Sequence, residues 1–470
     1  MSREKDFVKN TLILSIGKFL PKLTSFITLP ILTSHLSKAE LGTYDLIQTL
    51  LSLLFPLASL QITTAAFRYL IDCRNDDKKK KEIVTSTFLV CVPLSLIVCA
   101  LLFFFYGSQP VMIRILIAAY FFQEVMYQAS GQIVRGIGNN KVYSIGSSAV
   151  SIISAVCIVI LVYGKEAGIT GALLALFLSN LVGTVYYMAR CRILSMIDPT
   201  KCSREMIKVL LKYSLPVIPN NLSMWVLSVS DRLVISSFMG VEANAVYSVA
   251  NKIPVILGIA HGVLVMAWQE NASLALQDQD AESYYSRMHD YVFKLNIGFT
   301  ALIIGVTPWL YSLLIRGDYS ESYIHVPVLV LGSLFNVMSA FAGGIYAAHK
   351  KMKNVGLSSV VAAVINLVLD LCFVKMIGIW AGTISTVLAY FVLYIYRLID
   401  SKRFQKMTVD WKKGCLMMME IILMIVFCML NHRALNLVNL MLGILIMSCY
   451  NRDLLKSGMT VLKERIGRAR

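Results

Sequence analysis

The sequence predicts an all-α polytopic membrane protein with about 14 transmembrane helices. Two parallel six-helix repeats are expected to form two lobes, and two extra helices follow at the C-terminal end. Hydrophobic residues make up 57% of the 470 residues and charged residues 15%, whereas soluble domains carry about a quarter charged residues. Long apolar runs recur along the chain, and within a bilayer such runs satisfy their backbone hydrogen bonds as helices.

The predicted spans follow one another with short connections. In the first repeat they cover 10–34, 41–69, 83–105, 112–135, 142–163 and 169–190; in the second, 209–238, 244–270, 292–315, 326–348, 354–375 and 379–399; after it, 414–431 and 434–450. The corresponding division is an N-terminal lobe at 1–200, a C-terminal lobe at 201–413, and a final segment at 414–470 with a basic tail. Prolines predict bends in the first, second, seventh and eighth spans, because proline removes a helical hydrogen bond.

Two alignments within the chain predict the repeat. Residues 31–50 align without gaps with 234–253 at an offset of 203, which places Tyr44 on Tyr247. Residues 142–190 align with 352–400 at an offset of 210. Both copies run in the same direction across the membrane, so the repeats are parallel, as in some transporters.

The net charge of +17 is better explained by the membrane than by nucleic acid. Lysine and arginine concentrate in alternate loops, and the positive-inside rule then predicts a multi-pass protein of the cell (inner, or cytoplasmic) membrane with both termini cytoplasmic. Anionic lipids are expected partners at that inner face. The ten cysteines form no C-x-x-C pair, so we expect no metal site and no cofactor.

Charged residues inside spans are the strongest functional signal, because burying a charge in lipid is costly and usually marks a water-filled cavity. Lys18 and Lys22 share a face of the first span, and Arg232 and Lys252 lie on neighbouring helices of the second repeat. Together they predict a cationic column suited to a phosphate or pyrophosphate. The alternative is that these long side chains extend to the interface.

Other polar residues predict contacts with a sugar or an ion. Asn220 and Asn221, which follow a proline, are candidates for binding sugar hydroxyls. Glu124, Asp231 and Asp370 are candidates for ion coupling, since an intramembrane carboxylate binds a proton or sodium. A structural ion pair, for example Glu124 with Lys22, is the alternative.

Signals of enzymatic chemistry are weak. The run 278–280 matches the D-x-D of metal-dependent glycosyltransferases, but it lies in an acidic polar loop, where a solvated loop is the better interpretation. The chain contains no H-E-x-x-H or G-x-S-x-G motif. We therefore expect no enzyme activity.

Three stretches carry a family resemblance. Residues 230–253, SDRLVISSFMGVEANAVYSVANKI, resemble the seventh-to-eighth helix signature of Wzx-type polysaccharide-biosynthesis flippases, within the multidrug/oligosaccharidyl-lipid/polysaccharide exporter superfamily. Residues 9–22 and 39–44 resemble the first two helices of that family. In the lipid II flippases of this superfamily, arginines occupy the first and eighth helices, where this chain has Lys18, Lys22 and Lys252.

The resemblance implies a function. An undecaprenyl-pyrophosphate-linked oligosaccharide repeat unit would be moved from the inner to the outer leaflet by alternating access, for O-antigen, capsule or exopolysaccharide synthesis. The polysaccharide polymerase machinery would be a partner, and the last two helices would form a groove for the lipid tail. Alternatives are a multidrug or small-cation exporter of the same fold, which a basic cavity disfavours, and a membrane polymerase or acyltransferase, which short outer loops disfavour.

Overall fold

The structure is a computed structural model that describes residues 23–452, apart from 202, 278 and 279. This part of the chain is helical and contains no β-strand. It divides into two compact units, 1–225 and 226–470, and the boundary falls within one long helix. The division at 1–200, 201–413 and 414–470 stays a prediction.

The first unit contains eight helices and the beginning of a ninth among its described residues. They are α1 (23–35), α2 (Lys38–Ala58), α3 (Ile62–Asp72), α4 (Asp77–Phe105), α5 (Val111–Gly136), α6 (Asn140–Ile158, continued by a π-helical turn at Val159–Gly164), α7 (Gly168–Arg190), α8 (Arg204–Ser214) and the first part of α9 (Val217–Met239).

The second unit takes the rest of α9. Its other helices are α10 (Val241–Ala250), α11 (Val255–Leu274), α12 (Ala281–Leu314), α13 (Val326–Ala348), α14 (Met352–Ile377), α15 (Ile379–Ser401), α16 (Trp411–Leu430) and α17 (Arg433–Tyr450). Both predicted C-terminal helices are present as α16 and α17.

The prediction of a polytopic all-α membrane protein is confirmed. Among the described residues, eleven helices are long and apolar enough to cross a membrane, or twelve if α10 and α11 form one bent span. Helix α5 also has spanning length, although it carries Arg114, Glu124 and Arg135. With the predicted first span, of which 10–22 lies outside the described residues, the total agrees with the fourteen predicted spans.

Three predicted spans are broken into two helices each. The span at 41–69 divides at Ser59–Gln61, where the backbone of Leu60 and Gln61 turns left-handed with φ of 43° and 52°. The span at 209–238 divides before α9, at Pro216. The span at 244–270 bends by 43° between α10, which ends at Ala250, and α11, which begins at Val255 directly after Pro254.

Each unit packs around one central helix. Helix α5 lies against α3, α4 and α7 in the first unit, and α13 lies against α11, α12 and α15 in the second. Helix α17 packs closely along α12, because Gly443 leaves room for its backbone: a Cβ atom there would lie 2.8 Å from the carbonyl oxygen of Ala301. The last two helices are therefore built into the second unit.

Candidate functional site

A pair of buried acids lies inside the second unit. Asp231 on α9 and Asp370 on α14 are 2% and 1% exposed. Neighbouring residues of α15 bond to both acids, Thr386 to Asp231 and Ser385 to Asp370, and the two carboxyl groups are close enough to interact electrostatically. Two carboxyl groups in contact repel each other when both are ionised, so such a pair favours holding a proton or a cation.

Hydroxyl groups hold both carboxyl groups in place. Tyr247 and Thr386 each donate a hydrogen bond to Oδ2 of Asp231, both at 2.5 Å. Ser385 donates to Oδ1 of Asp370 at 2.6 Å. The other carboxyl oxygens, Oδ1 of Asp231 and Oδ2 of Asp370, are buried and accept no hydrogen bond from any described residue. Two acceptor atoms thus remain available for a bound ion or proton.

An amide extends this polar cluster. Asn366 donates from Nδ2 to Oγ of Ser385 at 3.2 Å and accepts from Oγ of Ser230 at 3.3 Å. It lies one turn before Asp370 on α14, so the two side chains share a helix face. The cluster therefore combines carboxylate, amide and hydroxyl oxygens from α9, α10, α14 and α15.

Gly382 brings these helices together. A Cβ atom at this position would lie 2.9 Å from Cδ1 of Ile235 and 3.3 Å from the Tyr247 ring. Because Gly382 has no side chain, α15 can lie close to α9 and α10, and Thr386 of α15 reaches Asp231. The Gly382 carbonyl also accepts from the Tyr247 hydroxyl at 3.3 Å.

The sequence identified part of this cluster. Asp231 and Asp370 were separate candidates for ion coupling, and the fold brings them together. Sequence reasoning missed Asn366, Ser385 and Thr386 as partners. The i, i+4 spacing of Asn366 and Asp370 within an apolar helix was the available signal.

The predicted cationic column is only partly described. Arg232 is half-buried on α9, next to Asp231, and Lys252 is half-buried in the break between α10 and α11. Lys18 and Lys22 lie outside the described residues. The joint action of the four cations stays a prediction.

The two predicted sugar-binding asparagines lie on the first part of α9. Asn221 is half-buried, and the side chain of Asn220 is outside the described part of the structure. One turn further on, Trp225 donates from Nε1 to Oγ of Ser52 at 2.9 Å, which attaches this part of α9 to α2. Sugar contact by the asparagines stays a prediction.

Glu124 has a different environment, in the first unit. Its Oε2 accepts from Nδ2 of Asn180 at 2.7 Å, and its Oε1 accepts from Nε2 of Gln128 at 2.8 Å. Both carboxylate oxygens are thus occupied by amide donors. Lys22, the ion-pair partner considered from the sequence, is outside the described residues.

No metal centre is evident in the described part of the chain. No three His, Cys, Asp or Glu side chains come together there as a metal site. Of the D-x-D run, Asp280 is described; it is exposed and pairs with Arg287 at 3.1 Å.

A comparison with known protein families identifies the family of this chain. The family model described as "Polysaccharide biosynthesis protein" matches residues 7–269, which is more than half of the sequence. The chain belongs to the polysaccharide biosynthesis protein family. No curated protein matches it by sequence.

Solved structures share the fold of this polysaccharide biosynthesis protein. The lipid II flippase MurJ in an inward closed conformation has a TM-score of 0.69 at 16% identity, covering 94% of this chain and 100% of MurJ. An inward-facing multidrug resistance MATE family transporter of the MOP superfamily has a TM-score of 0.64 at 17% identity, covering 84% and 94%. A MOP superfamily transporter from Pyrococcus furiosus has a TM-score of 0.57 at 15% identity, covering 84% and 95%.

These comparisons establish the class of protein to which the chain belongs. The protein is a multi-pass membrane protein of polysaccharide biosynthesis, and its fold is shared by transporters and a flippase. At identities of 15–17%, the similarity to these solved structures shows only that the fold is shared.

Proposed function

We propose that this protein flips an undecaprenyl-pyrophosphate-linked oligosaccharide repeat unit from the inner to the outer leaflet by alternating access. The product would serve synthesis of a surface polysaccharide: O-antigen, capsule or exopolysaccharide. The main observation behind this proposal is the match to the polysaccharide biosynthesis family over residues 7–269. A fold that spans the full length of a lipid II flippase supports it.

Four basic residues attract the pyrophosphate in this mechanism: Lys18, Lys22, Arg232 and Lys252. A charged side chain within a span favours a water-filled path, and ammonium groups bind phosphate oxygens through charge-assisted hydrogen bonds. Lysine acts as a point charge without the two-pronged geometry of arginine, which favours release after the headgroup has crossed. Asn220 and Asn221 contact the sugars, and the polyprenyl tail stays in lipid.

The buried acid pair supplies the coupling to an ion. A hard cation such as Na⁺ prefers oxygen ligands, and Asp231, Asp370 and the surrounding hydroxyl and amide oxygens offer them; a proton shared between the carboxyl groups is the other occupant. When the ion leaves, two carboxylates in contact repel each other and favour a different packing of α9 against α14. Such a change is the kind of two-state element that an ion gradient biases.

The setting follows from the same mechanism. The protein lies in the cytoplasmic membrane with both termini cytoplasmic, among anionic lipids at its inner face. The polysaccharide polymerase machinery consumes the flipped product on the other side. The protein itself breaks and forms no covalent bond.

Single substitutions Lys22→Ala and Lys252→Ala test the cationic path. Each is expected to lower the amount of surface polysaccharide about tenfold at matched protein level, since a lost contact between a charged group and the pyrophosphate weakens binding by ~1.5 kcal/mol or more. Lys22→Arg and Lys252→Arg should retain export. Lys165→Ala is the matched control, because Lys165 is exposed next to the π-helical turn. Unchanged export in both alanine variants removes the cationic site from the mechanism.

A multidrug or small-cation exporter is the second candidate. The likeness to a multidrug resistance transporter, with a TM-score of 0.64, favours it. Basic residues inside the spans disfavour cationic substrates, because like charges repel in a cavity of low dielectric constant. Drug resistance on expression, with no effect on glycan export, would support this function instead.

A further inference from the structure

A second polar cluster lies in the first unit, away from the acid pair and the four cations. Glu124, near the middle of α5, accepts hydrogen bonds from Gln128 at 2.8 Å and from Asn180 on α7 at 2.7 Å. Glu124 and Gln128 are half-buried, and Asn180 is buried. We call these three residues the carboxyl–amide cluster.

The carboxyl–amide cluster faces the interior of the unit. Ile117 and Tyr120, which lie at helical spacing from Glu124 on the same side of α5, are buried. A carboxylate that is half-exposed on an inward face opens to water, because exposure to lipid would be far more costly. We therefore expect water to reach the cluster.

The hydrogen-bond pattern distinguishes this cluster from the acid pair. Oδ1 of Asp231 and Oδ2 of Asp370 have no donor among the described residues, as suits an ion. Both oxygens of Glu124, by contrast, are occupied by amide N–H groups. An ionised carboxylate only accepts hydrogen bonds, so each amide must turn its nitrogen towards Glu124 and keep its carbonyl oxygen and second N–H for other partners.

Such a mixed display matches sugar hydroxyls better than a cation. Each hydroxyl both donates and accepts, whereas a hard cation takes oxygen ligands only. The neighbouring tyrosines of α5 pack inside the unit: Tyr120, one turn before Glu124, is buried, and the ring of Tyr127 stacks on Tyr187 with centroids 5.5 Å apart.

We propose that Glu124, Gln128 and Asn180 bind sugar hydroxyls of the lipid-linked glycan during its passage. This inference rests on the proposed flippase function and adds a place where the glycan, rather than the pyrophosphate, is recognised. It gives Glu124 a role in substrate recognition in place of the ion coupling considered from the sequence.

Binding of two defined lipids to the full-length protein in nanodiscs tests the proposal. The probes are undecaprenyl pyrophosphate and undecaprenyl-pyrophosphoryl-N-acetylglucosamine, with affinities measured separately. The wild-type protein is expected to prefer the sugar-bearing lipid. Glu124→Gln and Asn180→Leu should each reduce that preference about tenfold while the affinity for undecaprenyl pyrophosphate stays unchanged. Gln132→Leu is the matched control, since Gln132 lies one turn after Gln128 on α5 and bonds to Arg135 instead.

Each outcome decides the question. An equal loss for both lipids, accompanied by a lower unfolding temperature, assigns the cluster a structural role and overturns the proposal. An unchanged preference in both variants, or a wild-type protein that does not distinguish the lipids, also overturns it. If the wild-type protein binds neither lipid, the proposed flippase function fails, and this inference fails with it. Gln128→Leu provides a second amide variant if Asn180→Leu does not fold.

Discussion

At the scale of single residues, Arg397 shows how a buried charge is accommodated without an acid. It is 5% exposed on α15. Its guanidinium donates to Oγ of Ser358 at 2.9 Å and of Ser359 at 2.8 Å, and to the carbonyl oxygens of Ser339 and Val355, both at 3.1 Å. Because these acceptors lie on α13 and α14, one side chain joins three helices.

The first repeat uses a different residue at the matching position. At the offset of 210, Tyr187 corresponds to Arg397. Tyr187 is fully buried and donates its hydroxyl to the carbonyl oxygen of Tyr143 at 2.8 Å. Both residues thus tie the sixth span of their repeat to the fifth through a backbone or side-chain oxygen, although only one of them is charged.

We expect Arg397→Ala to lower the free energy of unfolding by about 2 kcal/mol, because it removes donors from several buried acceptors at once. Arg403→Ala is the matched control: Arg403 is 79% exposed and pairs with Asp400 at 3.3 Å, and exposed ion pairs contribute about 1 kcal/mol at most. Thermal unfolding of the purified proteins measures both. Equal shifts for the two variants would contradict a stabilising role specific to Arg397.

At the scale of elements, α8 has the features of a helix lying in a membrane interface. It packs against α3 and α4, and its buried residues are Leu210 and Ser214. Arg204, Lys208 and Lys212 form an exposed stripe at i, i+4 and i+8. This basic stripe runs along one side of the helix.

An apolar stripe runs along another side of α8. Val209 and Tyr213 are both 42% exposed, and the Tyr213 ring contacts Tyr69 of α3 at 5.9 Å. Interfacial helices combine such an apolar side with lysine and arginine near lipid phosphates.

In the turn before α8, the hydroxyl and backbone amide of Thr200 hold the pKa of Asp198 below its usual value, so this acid stays ionised near neutral pH.

We expect the double variant Lys208→Gln, Lys212→Gln to lose most of its stimulation by anionic lipid, since each basic residue near a charged surface contributes about 1 kcal/mol. The measurement compares flipping in liposomes of phosphatidylethanolamine with and without phosphatidylglycerol; the stimulation should fall about tenfold. Lys165→Gln, which lies outside α8, should keep it. An undiminished response in the double variant would rule out α8 as the lipid contact.

The breaks in the helices were only partly predictable. Pro254 marked the bend between α10 and α11 correctly, because its missing N–H ends the hydrogen-bond ladder nearby. Pro56 indicated a bend in the second span, but α2 continues to Ala58, and the chain breaks at Ser59–Gln61. A proline removes one backbone hydrogen bond of a helix, whereas the packing around the helix determines where the helix is interrupted.

At the scale of the whole molecule, the two repeats share a helical scaffold but carry different chemistry. The positions matching Asp231 and Asp370 in the first repeat hold Thr28 and Ile160, at offsets of 203 and 210. The acid pair therefore belongs to the second repeat alone. The first repeat carries Glu124 with its amide partners instead.

We expect this asymmetry to give the two units separate tasks. Asp231→Asn and Asp370→Asn should each abolish the acceleration of flipping by an imposed ion gradient, and the double variant should be no worse than either single one, because coupled groups act as a unit. Flipping is measured in proteoliposomes under a Na⁺ gradient and, separately, under a pH gradient. The gradient that accelerates the wild-type protein identifies the ion.

Glu420→Gln is the matched control for these acid variants. Glu420 is an acid on α16 whose two oxygens accept from the Tyr450 hydroxyl, each at 2.9 Å. It should retain the full response to the gradient. A response that survives in both aspartate variants would exclude the acid pair as the coupling site.

The sequence by itself determined the membrane helices, the repeat, the family and the kinds of polar residues inside the spans. These depend on local composition and spacing, since any apolar run of sufficient length must be helical in lipid. Tertiary structure alone decided which polar groups meet: Asp231 with Asp370, Glu124 with Asn180, and Arg397 with its serines. Contacts between helices depend on how each helix is rotated and how closely it approaches its neighbour, and at Gly382 the missing side chain permits that approach.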